Sequence, residues 1–277
     1  MIKTLRNFVK KVLQLLTMVS SQKIDTLLLS QGKALEEIFT RKVGMKLCDY
    51  EWKIFSQWGE DGIIQFLIRE VEIVNTTFIE FGVEDFSESN CRYLLMSSGW
   101  QGFVIDGSEY NINSLKKSYY YWKYDIQSSA NFVNTTNINE TLAQSKFEND
   151  LGILSVDIDG NDYHILTAID NFDPRIIICE FNPIFGVDRA ITVPYDPLFN
   201  RTEKHYSNLY FGASIKALEL LMQEKGYTLV GTGKMGCNAY FVKNELMTEK
   251  LTILQIIPTT LTITFEKAEI LKANSHF

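Results

Sequence analysis

The chain is poor in the residues from which several common frameworks are built. Its four cysteines, Cys48, Cys91, Cys179 and Cys237, are scattered without paired spacing. That excludes a disulfide frame or a cysteine zinc site and suits buried thiols in a reducing compartment, the cytoplasm. Basic residues are outnumbered, 27 Lys and Arg against 34 Asp and Glu, for a net charge of −7 and a pI near 5.1. A broad nucleic-acid surface is excluded on that balance. No apolar run is long enough to span a bilayer, and there is no internal repeat or low-complexity tract. The run Val12 to Val19 is interrupted by Gln14 and Thr17, which is poor for a signal-peptide core. Sequons open at Asn75, Asn134, Asn139 and Asn200; without a secretory route they read as chance matches in an Asn/Thr-rich chain.

Glycine is scarce at the one turn where it would identify a dinucleotide. Phe78, Ile79 and Phe81 predict a buried strand, Gly82 its end, and Cys91 to Met96 a helix. Ser87, Ser89 and Asn90 are available to cap that helix. A pyrophosphate-binding turn needs several glycines, whereas this one has Glu84, Asp85 and Glu88. Three carboxylates repel a pyrophosphate, so NAD and FAD are disfavoured. S-adenosylmethionine, cationic and free of phosphate, suits the turn better. A second strand, Gly102 to Asp106, ends in an acid followed by Gly107 and Ser108. Asp106 comes 26 positions after Glu80, close to the ~20 expected for an acid that grips a ribose.

The composition, 45% hydrophobic and 22% charged, is that of a globular protein. The length suits one α/β domain over residues 46–277, preceded by helices over 1–45. At the start, Leu5, Phe8, Val9, Val12, Leu16 and Val19 share one helical face, and Lys3, Arg6, Lys10 and Gln14 the other. Residues 2–19 thus suit an anionic membrane surface, such as the inner face of the plasma membrane, or docking on the domain or a second subunit. Ile24, Leu28, Gln31, Leu35 and Ile38 step by 4, 3, 4, 3, a short coiled-coil seam that could serve a homodimer or the domain itself. Before the first strand, Ile63, Ile64, Phe66, Leu67 and Val71 predict a helix begun near Glu60-Asp61. Gln57, Glu60 and Asp61 are candidate site residues, although favourable interaction with the helix dipole explains the two acids equally well.

Two later strands end alike. Leu151 to Val156 leads into Asp157-X-Asp159-Gly160, and Arg175 to Cys179 into Glu180-X-Asn182-Pro183. Ligands of open α/β sheets lie at such strand ends. Alternation predicts Asp157 and Asp159 on one side of the first, Glu180 and Asn182 on one side of the second. Four oxygen-bearing side chains would then meet, as Mg²⁺ ligands or for general-base work on a hydroxyl; ordinary turn chemistry is the plain alternative. The polar stretch Asn131 to Asn139 could lie near an adenine. The connection Gly186 to Tyr210 is long enough for a lid or substrate loop and holds His205, a second candidate base. Gly212 to Gly226 predicts a helix, and Tyr227 to Val230 with Ala239 to Val242 a terminal hairpin.

These residues resemble a known family, the FkbM-type methyltransferases of the class I S-adenosylmethionine-dependent group. The match is carried by Ser56-Gln-Trp-Gly-Glu-Asp-Gly62, Phe78-Ile-Glu-Phe-Gly82, Gly99-Trp-Gln-Gly-Phe-Val-Ile-Asp106, Leu154-Ser-Val-Asp-Ile-Asp-Gly-Asn-Asp-Tyr163 and Glu180-Phe-Asn-Pro183. Tyr210-Phe-Gly-Ala-Ser214 and Gly236-Cys-Asn-Ala-Tyr-Phe-Val242 also fit, so the resemblance spans roughly residues 50 to 245. It implies a Rossmann-like, mostly parallel seven-stranded sheet with an antiparallel C-terminal hairpin strand. It implies the donor's methionine part at Glu80, Gly82 and Glu84, ribose at Asp106, and Asp157 near the sulfonium and acceptor. Gln57, Glu60, Asp61, Asn90, Gly107 and Ser108 complete the expected cofactor-binding set. Where the family has a later glycine this chain has Glu84-Asp85-Phe86. Related sugar O-methyltransferases imply Mg²⁺ on Asp157, Asp159, Glu180 and Asn182. The expected activity is O-methylation of a sugar or glycan hydroxyl in polysaccharide biosynthesis. The rivals are a metal-dependent glycosyltransferase using a nucleotide sugar through Asp157-X-Asp159, and a non-catalytic adaptor on the same fold.

Overall fold

The computed structural model describes residues 2–235 and 237–256, with side chains from 18 to 254. The amphipathic reading of residues 2–19 therefore falls almost wholly on side chains outside the described residues, as do Gly236 and the stretch 257–277.

Seven strands form one sheet: β1 (Thr77–Phe81), β2 (Gln101–Asp106), β3 (Ile126–Ala130), β4 (Ile153–Val156), β5 (Ile176–Glu180), β6 (Tyr227–Thr232) and β7 (Asn238–Lys243), in the order β3-β2-β1-β4-β5-β7-β6. Strands β1 to β5 run parallel, and β7 enters antiparallel between β5 and β6. The central parallel strands are near-continuous apolar runs because helices cover both faces. Alternation then divides them. Phe78, Val104, Ile153, Ile176 and Ile178 enter one core layer, and Ile79, Phe103, Ile105, Leu154 and Ile177 enter the other.

The helices are α1 (Ile2–Thr40), α2 (Glu60–Glu70), α3 (Arg92–Ser98), α4 (Glu109–Leu115), α5 (Tyr119–Lys123), α6 (Ile138–Ala143), α7 (Asp162–Ala168), α8 (Arg201–Lys204), α9 (Ile215–Glu224) and α10 (Glu249–Ile256). Those from α1 to α5, with α10, pack on the first layer; α6, α7 and α9 pack on the second. Order reverses between β1 and β4, and a crevice opens there at the carboxyl ends of the strands.

Helix α1 runs unbroken through Thr40. Its docking splits the expected seam. Leu28 and Leu35 pack against the core, while Ile24 and Ile38 are 54% and 64% exposed. The face is fixed by Asp25, which is buried and accepts hydrogen bonds from Arg92 Nη2 at 2.7 Å and Tyr119 Oη at 2.6 Å. A buried ion pair needs such extra partners to offset its desolvation.

Candidate active site

A cavity of about 490 Å³ occupies the crevice. Among the described residues, seven carboxylate side chains line it against one cation, Arg201.

The β1 wall is held by two acids. Glu80 accepts from Asn90 N at 2.8 Å on Oε1, and from Ser89 Oγ at 2.6 Å and Cys91 N at 3.1 Å on Oε2. It thereby fixes the start of α3. Burial pushes its carboxyl up, and these donors pull against that. Asp106, at the tip of β2, accepts from Glu84 N at 2.8 Å on Oδ2, and from Ser108 N at 2.7 Å and Asn111 Nδ2 at 3.1 Å on Oδ1. A carboxylate has about four acceptor sites, so Oδ2 retains capacity. Between these acids the chain bends through left-handed conformations at Gly82, Glu84 and Phe86 (φ 69°, 49° and 63°). Only glycine fits the first position, since a Cβ there would lie 1.6 Å from the Asp157 carbonyl oxygen. Gly82 is needed for the close approach of β1 to the end of β4, whatever ligand follows.

Ile105, Gly107, Asn131, Phe132 and Val133 form the second wall. Gln57 and Trp58 form the third, carried by acids behind them. Glu60 Oε2 accepts from Trp58 N and Gly59 N, both at 2.8 Å, and its Oε1 accepts from Asn238 Nδ2 at 3.0 Å. Asp61 Oδ2 gathers the amides of Ile54, Phe55 and Ser56 at 2.7–2.9 Å. Its Oδ1 is buried without a partner, and burial raises its pKa to about 6. Of the three expected pre-strand residues, only Gln57 reaches the cavity; Glu60 and Asp61 bracket its loop. Asn90 and Gly107 line the cavity, while Ser108 caps α4 instead, accepting from Asn111 N at 3.3 Å.

The floor departs from the alternation argument. β4 ends at Val156, so Asp157 and Asp159 are not neighbours on a pleated strand. Asp159 is left-handed (φ 58°), its side chain is 62% exposed, and it pairs with Arg201 Nη1 at 2.5 Å. Asn182 is fully buried and its amide is used up: Oδ1 accepts from Ile184 N, and Nδ2 donates to the carbonyls of Leu209 and Phe211. The expected four-ligand oxygen set is therefore not the one assembled. Asp157 and Glu180 are joined instead by Asp162, with oxygens of all three within 4.8 Å of one another. Asp162 holds its own turn, accepting from Ile158 N and Gly160 N at 2.9 Å.

Burial, then the neighbouring acids, push Asp157 and Glu180 well above the usual carboxylate range, with Arg201 opposing. Two ionised carboxylates at this separation repel by at least roughly 3 kcal/mol at an effective dielectric of about 20. Glu180 Oε2 is buried with no donor beside it, and an oxygen of Asp157 lies within 4.8 Å of one of Glu180. A proton held on either acid relieves the repulsion between them.

The long connection after β5 returns over this floor. Phe199 covers Gly160, where a Cβ would lie 2.2 Å from the ring. Arg201 Nε donates to Asn208 O at 2.7 Å, its guanidinium lies 3.7 Å over Phe211, and Nη1 is 3.8 Å from Glu180 Oε1. His205 does not join them. It is exposed, with Nδ1 against Ser207 Oγ at 2.6 Å, outside the cavity wall. Phe132 lies in the stretch expected near an adenine, whereas Trp58, Phe199 and Arg201 are wall residues that sequence reasoning does not pick out. No spacing links Arg201 to Asp159, 42 positions before it.

Residues 74–229 match the model of the methyltransferase FkbM domain. No curated protein matches the sequence. Among solved structures, the O-methyltransferase from Bacillus cereus in complex with SAH has a TM-score of 0.45 at 13% identity, over 78% of this chain and 90% of that one. An S-adenosylmethionine-dependent methyltransferase from Clostridium acetobutylicum ATCC 824 has a TM-score of 0.42 at 8% identity, over 77% and 98%. The family match covers more than half of the 277 residues, and the chain belongs to the FkbM methyltransferases, enzymes that depend on S-adenosylmethionine.

Proposed function

We propose that the cavity binds S-adenosylmethionine across the β1 and β2 tips and methylates a hydroxyl of a sugar or glycan precursor over the β4 and β5 tips. The observation that carries this reading is the lining: seven acids and one arginine around a cavity of about 490 Å³, a size suited to a small ligand. Such a field favours a cationic ligand and disfavours a diphosphate, which also counts against the nucleotide-sugar rival. Asp106 Oδ2 retains capacity for a ribose hydroxyl. Phe132, 51% exposed beside Ile105 and Val133, offers an apolar slot for adenine. Glu84 and Asn90 face the cavity for the methionine part.

When bound, S-adenosylmethionine supplies an electrophilic methyl group on a sulfonium. The chain's own residues hold the acceptor and move its proton. Asp157 and Glu180 accept the hydroxyl proton, as general bases must from within hydrogen-bond reach. Arg201 limits the repulsion among the acids that burial concentrates there. The four ligands expected for Mg²⁺ do not come together, because Asp159 and Asn182 are committed to other partners. The sugar assignment is supported by an aromatic side to the floor. Phe199 lines the cavity, Tyr210, 42% exposed, stacks on it with ring centroids 6.3 Å apart, and aromatic faces with hydroxyl-binding acids suit a pyranose ring.

Calorimetric titration with S-adenosylhomocysteine and, separately, uridine diphosphate tests the donor. Saturable binding of the first alone is expected. Absence of both at millimolar levels would leave only the fold and favour the adaptor. Transfer of a tritiated methyl group to glycan acceptors, against phosphorylated sugars as poor controls, tests the acceptor class.

A further inference from the structure

Helix α1 has two faces, and among the described residues only one packs on its own chain. Met18, Leu28, Leu29, Leu35 and Phe39 pack on the core. Ile24, Leu27, Gln31, Ala34 and Ile38 are all exposed, the three large ones at 54%, 72% and 64%. They step by 3, 4, 3, 4 and fall within roughly 80° of the helix surface. This is a heptad seam, displaced by one residue at two positions from the one the sequence suggests. It is about 21 Å long at ~1.5 Å per residue. A seam that short would not hold two free helices together. Here packing on the body already forms the helix, so pairing has no nucleation to overcome.

We infer that this outward face of α1 pairs, antiparallel, with the same face of a second copy of the chain. Charge sets both partner and direction. Lys23 and Glu37 flank the seam on the side away from the body, at its opposite ends, and both are exposed. An antiparallel pair brings Lys23 of each copy to Glu37 of the other, twice. A parallel pair sets the exposed flanks against Leu28 and Leu35, with no opposite charge. Interhelical charges flanking an apolar seam fix orientation in this way. The antiparallel register also alternates large with small, Ile24 against Ala34 and Leu27 against Gln31, so the layers interdigitate. The existing Glu37–Arg41 pair, at 3.7 Å with both side chains about four-fifths exposed, is too weakly held to compete.

Sedimentation of the full chain over a concentration range tests the pairing. The expected mass is twice the 31.9 kDa of one chain, halved by Leu27→Glu without change in melting temperature. Lys23→Glu should raise the dimer dissociation constant about tenfold, and Lys23→Glu with Glu37→Lys should restore it. The double variant Ile24→Cys with Ala34→Cys should cross-link as a dimer on mild oxidation, whereas Leu27→Cys alone should not. A wild-type chain that stays monomeric overturns the inference, as does a dimer that survives Leu27→Glu. Loss of binding to anionic phosphatidylglycerol vesicles by Leu27→Glu in a monomeric protein would assign the face to a membrane instead.

Discussion

Glu80 at the tip of β1 and Glu180 at the tip of β5 are the same side chain at equivalent ends of one parallel sheet. Glu80 has three hydrogen-bond donors on its oxygens. Glu180 Oε2 has none and faces Asp157, Asp159 and Asp162. The β1 and β2 side spends its carboxylates on backbone amides, and so builds a rigid wall with partly satisfied acids. The β4 and β5 side crowds Asp157 and Glu180 beside Asp159 and Asp162 and leaves Glu180 Oε2 without a donor, an acceptor that the proposed chemistry can use. Environments that push like groups apart in this way assign their chemical roles.

The largest effect should come from removing a wall acid. Glu80→Ala leaves the buried amides of Asn90 and Cys91 without their acceptor, at about 1–3 kcal/mol each. A loss of roughly 3–5 kcal/mol is expected in urea unfolding, with donor binding falling alongside. If Glu80→Ala is neutral, the wall is held by something other than these bonds.

Next in size is the floor. Asp157→Asn should lower turnover by about 100-fold or more, while stability stays level or rises because one crowded acid is gone. Donor affinity should change far less than turnover. A variant that lost stability and donor binding together would erase the contrast between the two sides.

The pH dependence of stability sharpens it further. Burial raises Asp61 and Asp162 to about 6 in the folded chain, from ordinary values near 3.8. A raised carboxyl keeps its proton longer when folded, so its contribution is full below the unfolded value and is lost as pH rises through the folded one. Stability should therefore fall between about pH 4 and pH 6, by roughly 2–3 kcal/mol for each group. Asp61→Asn should remove its share of that slope in urea titrations across the window.

How much of this is legible in sequence follows the same division. The apolar runs of β1, β2, β4 and β5 announce buried parallel strands, and Glu80, Gly82 and Asp106 stand at strand ends where local sequence marks the wall they build. The floor is less legible because its geometry is made after the strand ends. Alternation would carry Asp159 beside Asp157, but the chain leaves β4 at Val156 and turns left-handed at Asp159. Phe199 and Arg201 arrive by the tertiary return of a long connection, which leaves no periodicity to read. In α1 the choice between Leu27 and Leu28 for the outer face depends on Asp25 meeting Arg92 and Tyr119. Local spacing cannot decide a contact made with residues 67 and 94 positions away.

The smallest effect should come from His205, the one imidazole in the connection that overhangs the floor. A base chosen by residue type alone would be this histidine. The structure turns it outward onto Ser207 and Tyr206, beyond the cavity wall. His205→Ala should therefore change kcat/KM by less than about twofold, since surface substitutions away from a site act within about 0.5 kcal/mol. A fall approaching that of Asp157→Asn would show the connection closing over the acceptor with His205 swung inward. Proton removal would then belong to the cap, and the acid pair would serve only to bind.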